Sequence, residues 1–598
     1  MRWAARGNGK TNGVNNDELP EPKPQISCPC KQNKLSGRCY WLILTPTSYL
    51  RCNPATKWIM VASFPLQVHE FCETLKGLEI VDDSIRMAKG VPKVTSLDEI
   101  YSNATDGALP EQKSRFRHLI DSFNKANGSK PDFVARSPGR VNIIGEHIDY
   151  SLYNVLPTAV LNDVLVAVKV KESSSESTMK VANTNDTKYP TAEFHVPQEG
   201  EVHMGEHDWS NYFKAGLRGS IHVLRKERGD NFQPKSMDVM IDGNVPAGGG
   251  LSSSAAFVCA SALAVMAANG HEVSKQDLLD LCIVSERSVG VYSGGMDQAA
   301  SIFSERGYLL YCRFFPEFSA EHVPVPAADP EITFLIAQSF VTSDKAVTAA
   351  RHYNLRVVEV TLAAVTLAKF FDITLDPDSS SLGFSIRNFQ EELMKKLGKG
   401  DLAEDKQLDI MINLIKEKLT QPSYSRANVA RILEIEVSAL EKAYFSKFDV
   451  EGDTFKLQQR ALHVVEEARR VVAFKDTLSS NAGKKLNQDQ LSYLGDLMNK
   501  TQDSCRDVYE CSCPEIDDIC AIARKNGAIG SRLTGAGWGG CTVHLVPQNK
   551  VEGVTQALKK EYYNKNFPDL SADKMEDAIV ISKPGQGSSL ITGEALNV

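Results

Sequence analysis

The chain has 598 residues, 42% of them apolar and 24% charged, with a net charge of −8. Its length accommodates several ordinary domains, and its composition is that of a globular protein. The negative balance argues against a general binder of nucleic acid or membrane surfaces, and no apolar run reaches membrane-spanning length.

Thirteen cysteines are scattered without a CxxC pair or metal-ligand spacing, which predicts free thiols in a reducing, cytoplasmic setting. Residues 1–90 are expected to be a disordered extension. Met1 to Pro24 is polar, with little that could pack. Gly9-Lys10-Thr11 resembles the end of a P-loop, but Ala4 occupies the position of the required first glycine and no strand precedes it. Cys28 and Cys30 suggest half a metal site that no second pair completes. Tyr40 to Leu50 is apolar but lacks a signal-peptide pattern, and Met60 is an alternative start.

Leu109 to Ala126 has helical periodicity and ends at Asn127-Gly128. Phe133 to Tyr150 alternates around Pro138-Gly139. It reads as a strand, a tight turn and a second strand, followed by a loop carrying Glu146, His147, Asp149 and Tyr150. Two carboxylates and a histidine within four residues can hydrogen-bond several hydroxyls at once. Val164 to Val170 and Met179 to Ala182 read as strands, and Trp209 to Arg228 as an amphipathic helix.

The strand-like run Met237 to Ile241 leads into Pro246-Ala247-Gly248-Gly249-Gly250-Leu251-Ser252-Ser253-Ser254-Ala255-Ala256, and a small-residue helix to Ala268 leads out. Three glycines permit positive φ and close approach to a ligand. The serines stand where a helix needs its N-cap, leaving amide donors and the helix dipole to attract a phosphate. Leu278 to Val289 is a further helix carrying Glu286. Ser293-Gly294-Gly295-Met296-Asp297 then opens another, in which Asp297 by itself reads as an N-cap. Tyr308 to Cys312 and Thr333 to Ala337 are strands.

From Glu331 onward the chain is rich in helices. They are predicted over Asp344 to Phe371, with Lys345 and Tyr353, and over Phe389 to Lys418, Ala427 to Ala443, Phe455 to Phe474 and Asp489 to Met498. The charged stretch Lys395 to Lys406 is read as a solvated face or connecting loop. Cys511 and Cys513 are read as free thiols at a helix boundary. Gly530 to Val546 joins two strands through Gly535, Gly537, Gly539 and Gly540. A strand, not a helix, follows these glycines, so they are no dinucleotide fingerprint; they serve close approach to a neighbouring segment or ligand.

Three stretches, Arg136 to Tyr150, Val245 to Ala256 and Ser531 to Cys541, resemble the three signature motifs of the GHMP small-molecule kinases, in the family's order. The form Gly145-Glu146-His147-Ile148-Asp149-Tyr150 resembles galactokinases. Tyr353 to Glu359 and Tyr509 to Glu515 resemble fungal galactokinases in particular. The resemblance covers roughly residues 90 to 598. It implies an α/β fold of the α+β type, a two-domain GHMP kinase with mixed sheets and helices and an active site in the cleft. The domains would be 91–330, with the sugar motif and phosphate loop, and 331–598, rich in helices.

The resemblance implies transfer of the γ-phosphoryl group of MgATP to the anomeric hydroxyl of D-galactose, the entry to the Leloir pathway. Asp297 matches the catalytic acid position, and Arg140 the arginine beside it. Glu146, His147, Asp149, Gly295 and Tyr353, together with Arg140 and Asp297, match sugar-contacting positions. Gly248, Gly249, Gly250, Leu251, Ser252, Ser253 and Ser254 match the phosphate cradle, and Trp209 and Lys345 match nucleotide contacts. Ser254 and Glu286 resemble ligands of Mg²⁺, being hard oxygen donors. Two other activities share these motifs. One is a galactose- and ATP-responsive transducer that binds a transcriptional regulator; the complete serine run with Arg140 and Asp297 favours catalysis. The other is an N-acetylgalactosamine kinase.

Overall fold

The computed structural model describes residues 89–597, except 102–107, 173–175, 206–207, 247–248, 288–293 and 342–347. The extension expected over 1–90 lies outside the described residues but for its last two, as do Met60, the Gly9-Lys10-Thr11 and Cys28/Cys30 segments, Gly248 and Lys345. The strands used here are β1 (Lys93–Val94), β2 (Phe133–Ile144), β3 (Leu156–Lys171), β4 (Ser177–Asn183), β5 (Ala192–Val196), β6 (Ser236–Gly243), β7 (Tyr308–Arg313), β8 (Ser319–Pro324), β9 (Ile332–Gln338), β10 (Gly530–Thr534), β11 (Cys541–Pro547), β12 (Ile579–Ser582) and β13 (Ser589–Ile591). The helices are α1 (Ala108–Asn127), α2 (Asn211–Arg228), α3 (Ser253–Ala268), α4 (Lys275–Arg287), α5 (Met296–Phe303), α6 (Tyr353–Phe370), α7 (Leu457–Ser479), α8 (Gln488–Asp507) and α9 (Pro514–Lys525).

A mixed seven-stranded sheet runs in the order β1-β13-β2-β3-β6-β4-β5. Its central strands alternate with period two, because successive side chains leave opposite faces. Val134, Leu165, Ala167 and Met240 face the apolar stripe of α1, formed by Phe116, Leu119, Ile120 and Phe123. Their neighbours Val166, Val168, Val239 and Ile241 belong to the main core, with the alanine-rich α3. Both faces are therefore covered, and every residue of β2 is buried. A second sheet, β10-β11-β9-β12, is antiparallel throughout. One face takes Ile519 and Ala523 of α9 against Leu335, Ala337 and Val546.

The chain's end returns to the first sheet. β13 runs parallel to β1 and antiparallel to β2. Arg136, in mid-β2, fixes this return: its Nη1 donates to the carbonyls of Gln586 and Gly587, 3.0 Å each, while its Nε meets Asp163 at 2.5 Å. Asp163 is fully buried and also takes Arg115 at 2.7 Å and the Tyr101 hydroxyl at 2.5 Å. The arginines hold its carboxyl below the usual range despite burial.

Where the sequence reads a tight turn at Pro138-Gly139, the structure has one continuous strand. β2 carries register shifts against β3 between Pro138 and Arg140 and again between Asn142 and Ile144. These are bulges, where a proline without an N–H is tolerated and the strand bends. Gly139 is required there by contact: a Cβ would stand 2.7 Å from the Leu251 carbonyl and 2.9 Å from Val245.

Other elements differ in extent. Phe389 to Lys418 is two helices, Ile386–Leu397 and Glu404–Lys418, so the charged stretch spans a helix end, a link and a helix start. Ala427 to Ala443 is also two helices, Arg426–Leu433 and Val437–Tyr444, separated at Glu434, whose φ is 58°. Of the helix expected over Asp344 to Phe371, residues 344–347 lie outside the described residues, and α6 covers Tyr353 to Phe370. The eight cysteines among the described residues are free thiols, and no described helix is long and apolar enough to cross a membrane.

Gly139→Ala is expected to destabilise the fold by about 1–3 kcal/mol, since an added methyl has no room between strand and loop. A urea midpoint equal to the parent's would show that the loop at Leu251 can simply move away.

Candidate active site

The site is built where β2 meets α3 and α5. α5 starts at Met296 with Gly295 as its N-cap, at φ 100°. Asp297 is thus not the cap, as it reads in isolation; it sits in the first turn. Arg140 projects from the bulged part of β2, and its Nε meets Asp297 Oδ1 at 2.7 Å. The Arg140 Nη1 donates to the Gly250 carbonyl at 2.6 Å, and its backbone N–H to the Leu251 carbonyl at 3.1 Å. Side-chain exposure is 4% for Arg140 and 11% for Asp297, so this charge pair lies in a protected setting.

The loop Gly249 to Ser252 leads into α3. Ser252 is the N-cap residue, but it takes the left-handed conformation, φ 57° and ψ 46°, and its side chain makes no cap hydrogen bond. The expected serine cap is therefore not made by Ser252. First-turn amides and the helix dipole remain available for an anion. The glycine segment between β10 and β11 approaches this loop backbone to backbone. A Cβ on Gly250 would stand 2.9 Å from the Thr534 carbonyl, and one on Gly535 would stand 2.8 Å from the Gly250 carbonyl. The neighbouring segment that those glycines admit is the phosphate-loop candidate itself.

Trp209 lies just ahead of α2. Its ring stacks on Phe257 of α3 at 6.4 Å and meets Tyr189 at 5.6 Å, while Nε1 donates to the Pro190 carbonyl at 3.0 Å. Tyr212 stacks on the same Phe257 at 5.7 Å. Together these rings form an aromatic surface beside the first turn of α3. Glu286 is buried near the end of α4 and accepts the amide of Gln298 from α5. α3 and α4 are consecutive helices packed on each other. The Ser254 hydroxyl and Glu286 carboxylate are donors of the kind Mg²⁺ takes, so the donor chemistry fits that ion.

Beyond β2, the loop with Glu146, His147 and Asp149 is buried at all three positions. Arg532 of β10 donates to Glu146 Oε2, which also accepts the Gly535 N–H at 3.2 Å. Burial pushes the Glu146 carboxyl up, partly offset by Arg532. His147, at φ 61°, donates from Nε2 to the Ala536 carbonyl at 2.9 Å and pairs through Nδ1 with the Tyr150 hydroxyl at 2.9 Å. The rings of Tyr353, Tyr509 and Trp538 surround it at 5.6, 5.1 and 5.7 Å. Asp149 opens a short 3₁₀ turn, and its carboxylate lies against Gly294. Burial and the neighbouring charge of Asp297 push its pKa up to about 6. Tyr353, at the start of α6, is raised by burial and by the same two aspartates.

The structure thus gathers Arg140, Asp297, Gly250 and Leu251 through direct contacts, and brings Glu146, His147, Asp149 and Tyr353 into one neighbourhood, where the His147 and Tyr353 rings meet and the two carboxylates act on Tyr353. Trp209 and Glu286 flank α3. Several residues escaped the sequence reading of roles: Arg532, Tyr509 and Trp538, and also His463 and Glu467 of α7. For Arg532 the signal was present, a lone cation among uncharged residues directly before the glycine cluster. No sequence signal marks His463 or Glu467, which look like ordinary polar positions of a helix.

Residues 121–170 match the galactokinase galactose-binding signature, 211–305 the GHMP kinases N terminal domain, and 484–564 the GHMP kinases C terminal domain. The chain is 42% identical over 498 residues to a galactokinase of Saccharomyces cerevisiae, covering 79% of this chain and 94% of that protein. It is 36% identical over 502 residues to a galactokinase of Schizosaccharomyces pombe, covering 80% and 96%. This chain belongs to the galactokinase family. Its fold is that of a GHMP kinase: a crystal structure of Lactococcus lactis galactokinase complexed with galactose matches with a TM-score of 0.56 at 24% identity, covering 79% of this chain and 99% of that one.

For this galactokinase-family protein, the raised pKa of Asp149 has a sign that can be checked. An ionised Asp149 costs stability above pH 6. That cost fades as pH falls from about 6 through the ordinary value of 3.8. Asp149→Asn is therefore expected to raise the stability of the ligand-free protein at pH 8 by up to about 3 kcal/mol, with the gain vanishing near pH 4. Thermal melts across that range provide the test, and a gain independent of pH would contradict it.

Proposed function

We infer that this protein transfers the γ-phosphoryl group of ATP to the anomeric hydroxyl of D-galactose, yielding galactose 1-phosphate and ADP. The observation that carries this reading is Arg140. One guanidinium joins the acid of α5 to the backbone of the phosphate loop, so an acceptor hydroxyl and a phosphoryl donor would meet at one point. Phosphoryl transfer depends mainly on positioning and charge stabilisation.

In this reading the sugar lies among Glu146, His147, Asp149, Gly295 and Tyr353. The Glu146 Oε2 is engaged by Arg532, which leaves Oε1 for a sugar hydroxyl. Asp297 orients the anomeric hydroxyl and takes its proton as the sugar oxygen bonds to the γ-phosphorus and the bond to the ADP oxygen breaks. Arg140 favours the ionised acid and stabilises charge on the transferring group. The loop from Gly248 to Ser254 holds the phosphates by its amides, with Trp209 and Lys345 toward the nucleotide. Ser254 and Glu286 would hold Mg²⁺, which neutralises phosphate charge when bound. We read 91–330 as the part carrying the sugar motif and phosphate loop, and 331–598 as the part that closes the pocket through Tyr353 and the 535–540 loop.

Asp297→Asn tests this assignment. Turnover should fall by about 10²–10⁴-fold, measured by coupled ADP release, while galactose and ATP still bind by calorimetry. Near-parental turnover would remove Asp297 from the proton-transfer role.

A further inference from the structure

α7 lies outside all three signature stretches, yet it grips the backbone of one sugar-loop residue from both sides. His463 and Glu467 stand one helical turn apart and so share a face. The Glu467 Oε1 accepts two consecutive amides, Gly145 at 2.7 Å and Glu146 at 3.2 Å. His463 Nε2 lies 3.0 Å from the Glu146 carbonyl. A carbonyl can only accept, so Nε2 carries the proton, and Nδ1 accepts from the Ser504 hydroxyl at 2.9 Å. Both peptide groups of Glu146 are thereby fixed to one helix.

The grip is itself braced. The Glu467 Oε2 accepts Arg470 Nε at 2.7 Å and Thr501 Oγ1 at 2.7 Å, and α8 supplies both Thr501 and Ser504. His463 and Glu467 are completely buried. Burial holds the imidazole neutral, down to about 3. Burial opposes ionisation of Glu467, but Arg470 and Arg532 outweigh it and keep its pKa at about 2. The clamp therefore keeps one protonation state through the working pH range.

The gripped segment needs holding. Gly145 and His147 flank Glu146 with φ of 112° and 61°, so the turn departs from extended backbone on both sides. A left-handed conformation at a non-glycine residue costs free energy and persists where surroundings over-determine it. This turn carries the buried side chains of Glu146, His147 and Asp149.

We propose that His463 and Glu467 are positioning residues that set galactose affinity by clamping the backbone of Gly145 and Glu146, without touching the sugar. This rests on the functional reading given above. The mechanism is preorganisation: loosening the clamp lets the sugar loop explore other geometries, so sugar binding must first order it. In that reading the nucleotide is held by the loop ahead of α3, and among the described residues no hydrogen bond joins His463 or Glu467 to that loop.

Steady-state kinetics of the full chain, with galactose and ATP varied separately, provide the test. His463→Leu should raise the galactose KM about tenfold, the scale of one lost buried hydrogen bond with a stranded partner. The ATP KM should stay within about twofold. His463→Gln keeps an N–H donor of similar reach and should recover most of the galactose KM. Thr501→Val, which removes one brace from Glu467, should raise the galactose KM about threefold. A galactose KM unchanged in His463→Leu, equal rises in both KM values, or no recovery in His463→Gln would overturn the clamp. Should His463→Leu fail to fold, Thr501→Val decides by the same KM split. A parent protein that turns over no galactose would overturn the functional reading, and the clamp with it. An active parent with unmoved KM values overturns the clamp alone.

Discussion

One guanidinium carries the organisation of this protein. Arg140 neutralises Asp297, takes the Gly250 carbonyl and, through its own backbone, holds Leu251. A buried arginine with only one partner would cost several kcal/mol in desolvation. Here a carboxylate and a carbonyl both accept from it, so its position is over-determined. The bulges of β2 follow from the same requirement. A regular strand would not offer both the guanidinium and the backbone N–H of residue 140 to a loop at 250–251. The glycine at 139 is what lets that loop lie against the strand.

The second constraint is the way glycine segments meet. Gly250 and Gly535 press backbone on backbone, from a loop ahead of α3 and a loop between strands of the other sheet. Across the same contact Arg532 spans from β10 to Glu146 and to the Asn142 carbonyl, 2.7 Å away. The loop at 145–149 and the loop at 249–252 are thus both anchored to the 530–540 segment. Charged groups buried this way contribute little net stability, because desolvation consumes much of the attraction. What they supply is a fixed geometry.

Much of this was legible in the chain itself. Alternation and helical periodicity located most elements, since burial on one face leaves a period that survives in the sequence. The three stretches resembling family motifs do meet in space, Arg140 with Gly250, Gly250 with Gly535 and Arg532 with Glu146. Proline and glycine misled at 138–139: local chemistry favours a turn, but packing on both faces of β2 makes a bulge there. The helix break after Leu397 had a signal that was passed over, Gly398 in the left-handed conformation with Gly400 two residues on, whereas the break at Glu434 has no glycine to mark it. His463 and Glu467 were invisible for a different reason. Their significance lies in partners more than 300 positions away in sequence, at Gly145 and Glu146, and no local pattern encodes that distance.

Asp149 and Asp297 expose the tension in the site. Two carboxylates share one buried region with Arg140 paired to only one of them, and the other is left with a pKa near 6. Selection for stability alone would remove a charge held at that cost. Its retention is understandable if the ligand-free site is built to be under-satisfied. A polyhydroxylated substrate would add hydrogen-bond donors to the one that the Tyr150 backbone already gives Asp149. A ligand without a hydroxyl at that point would leave the buried carboxylate with fewer donors, a larger penalty than the loss of one ordinary contact.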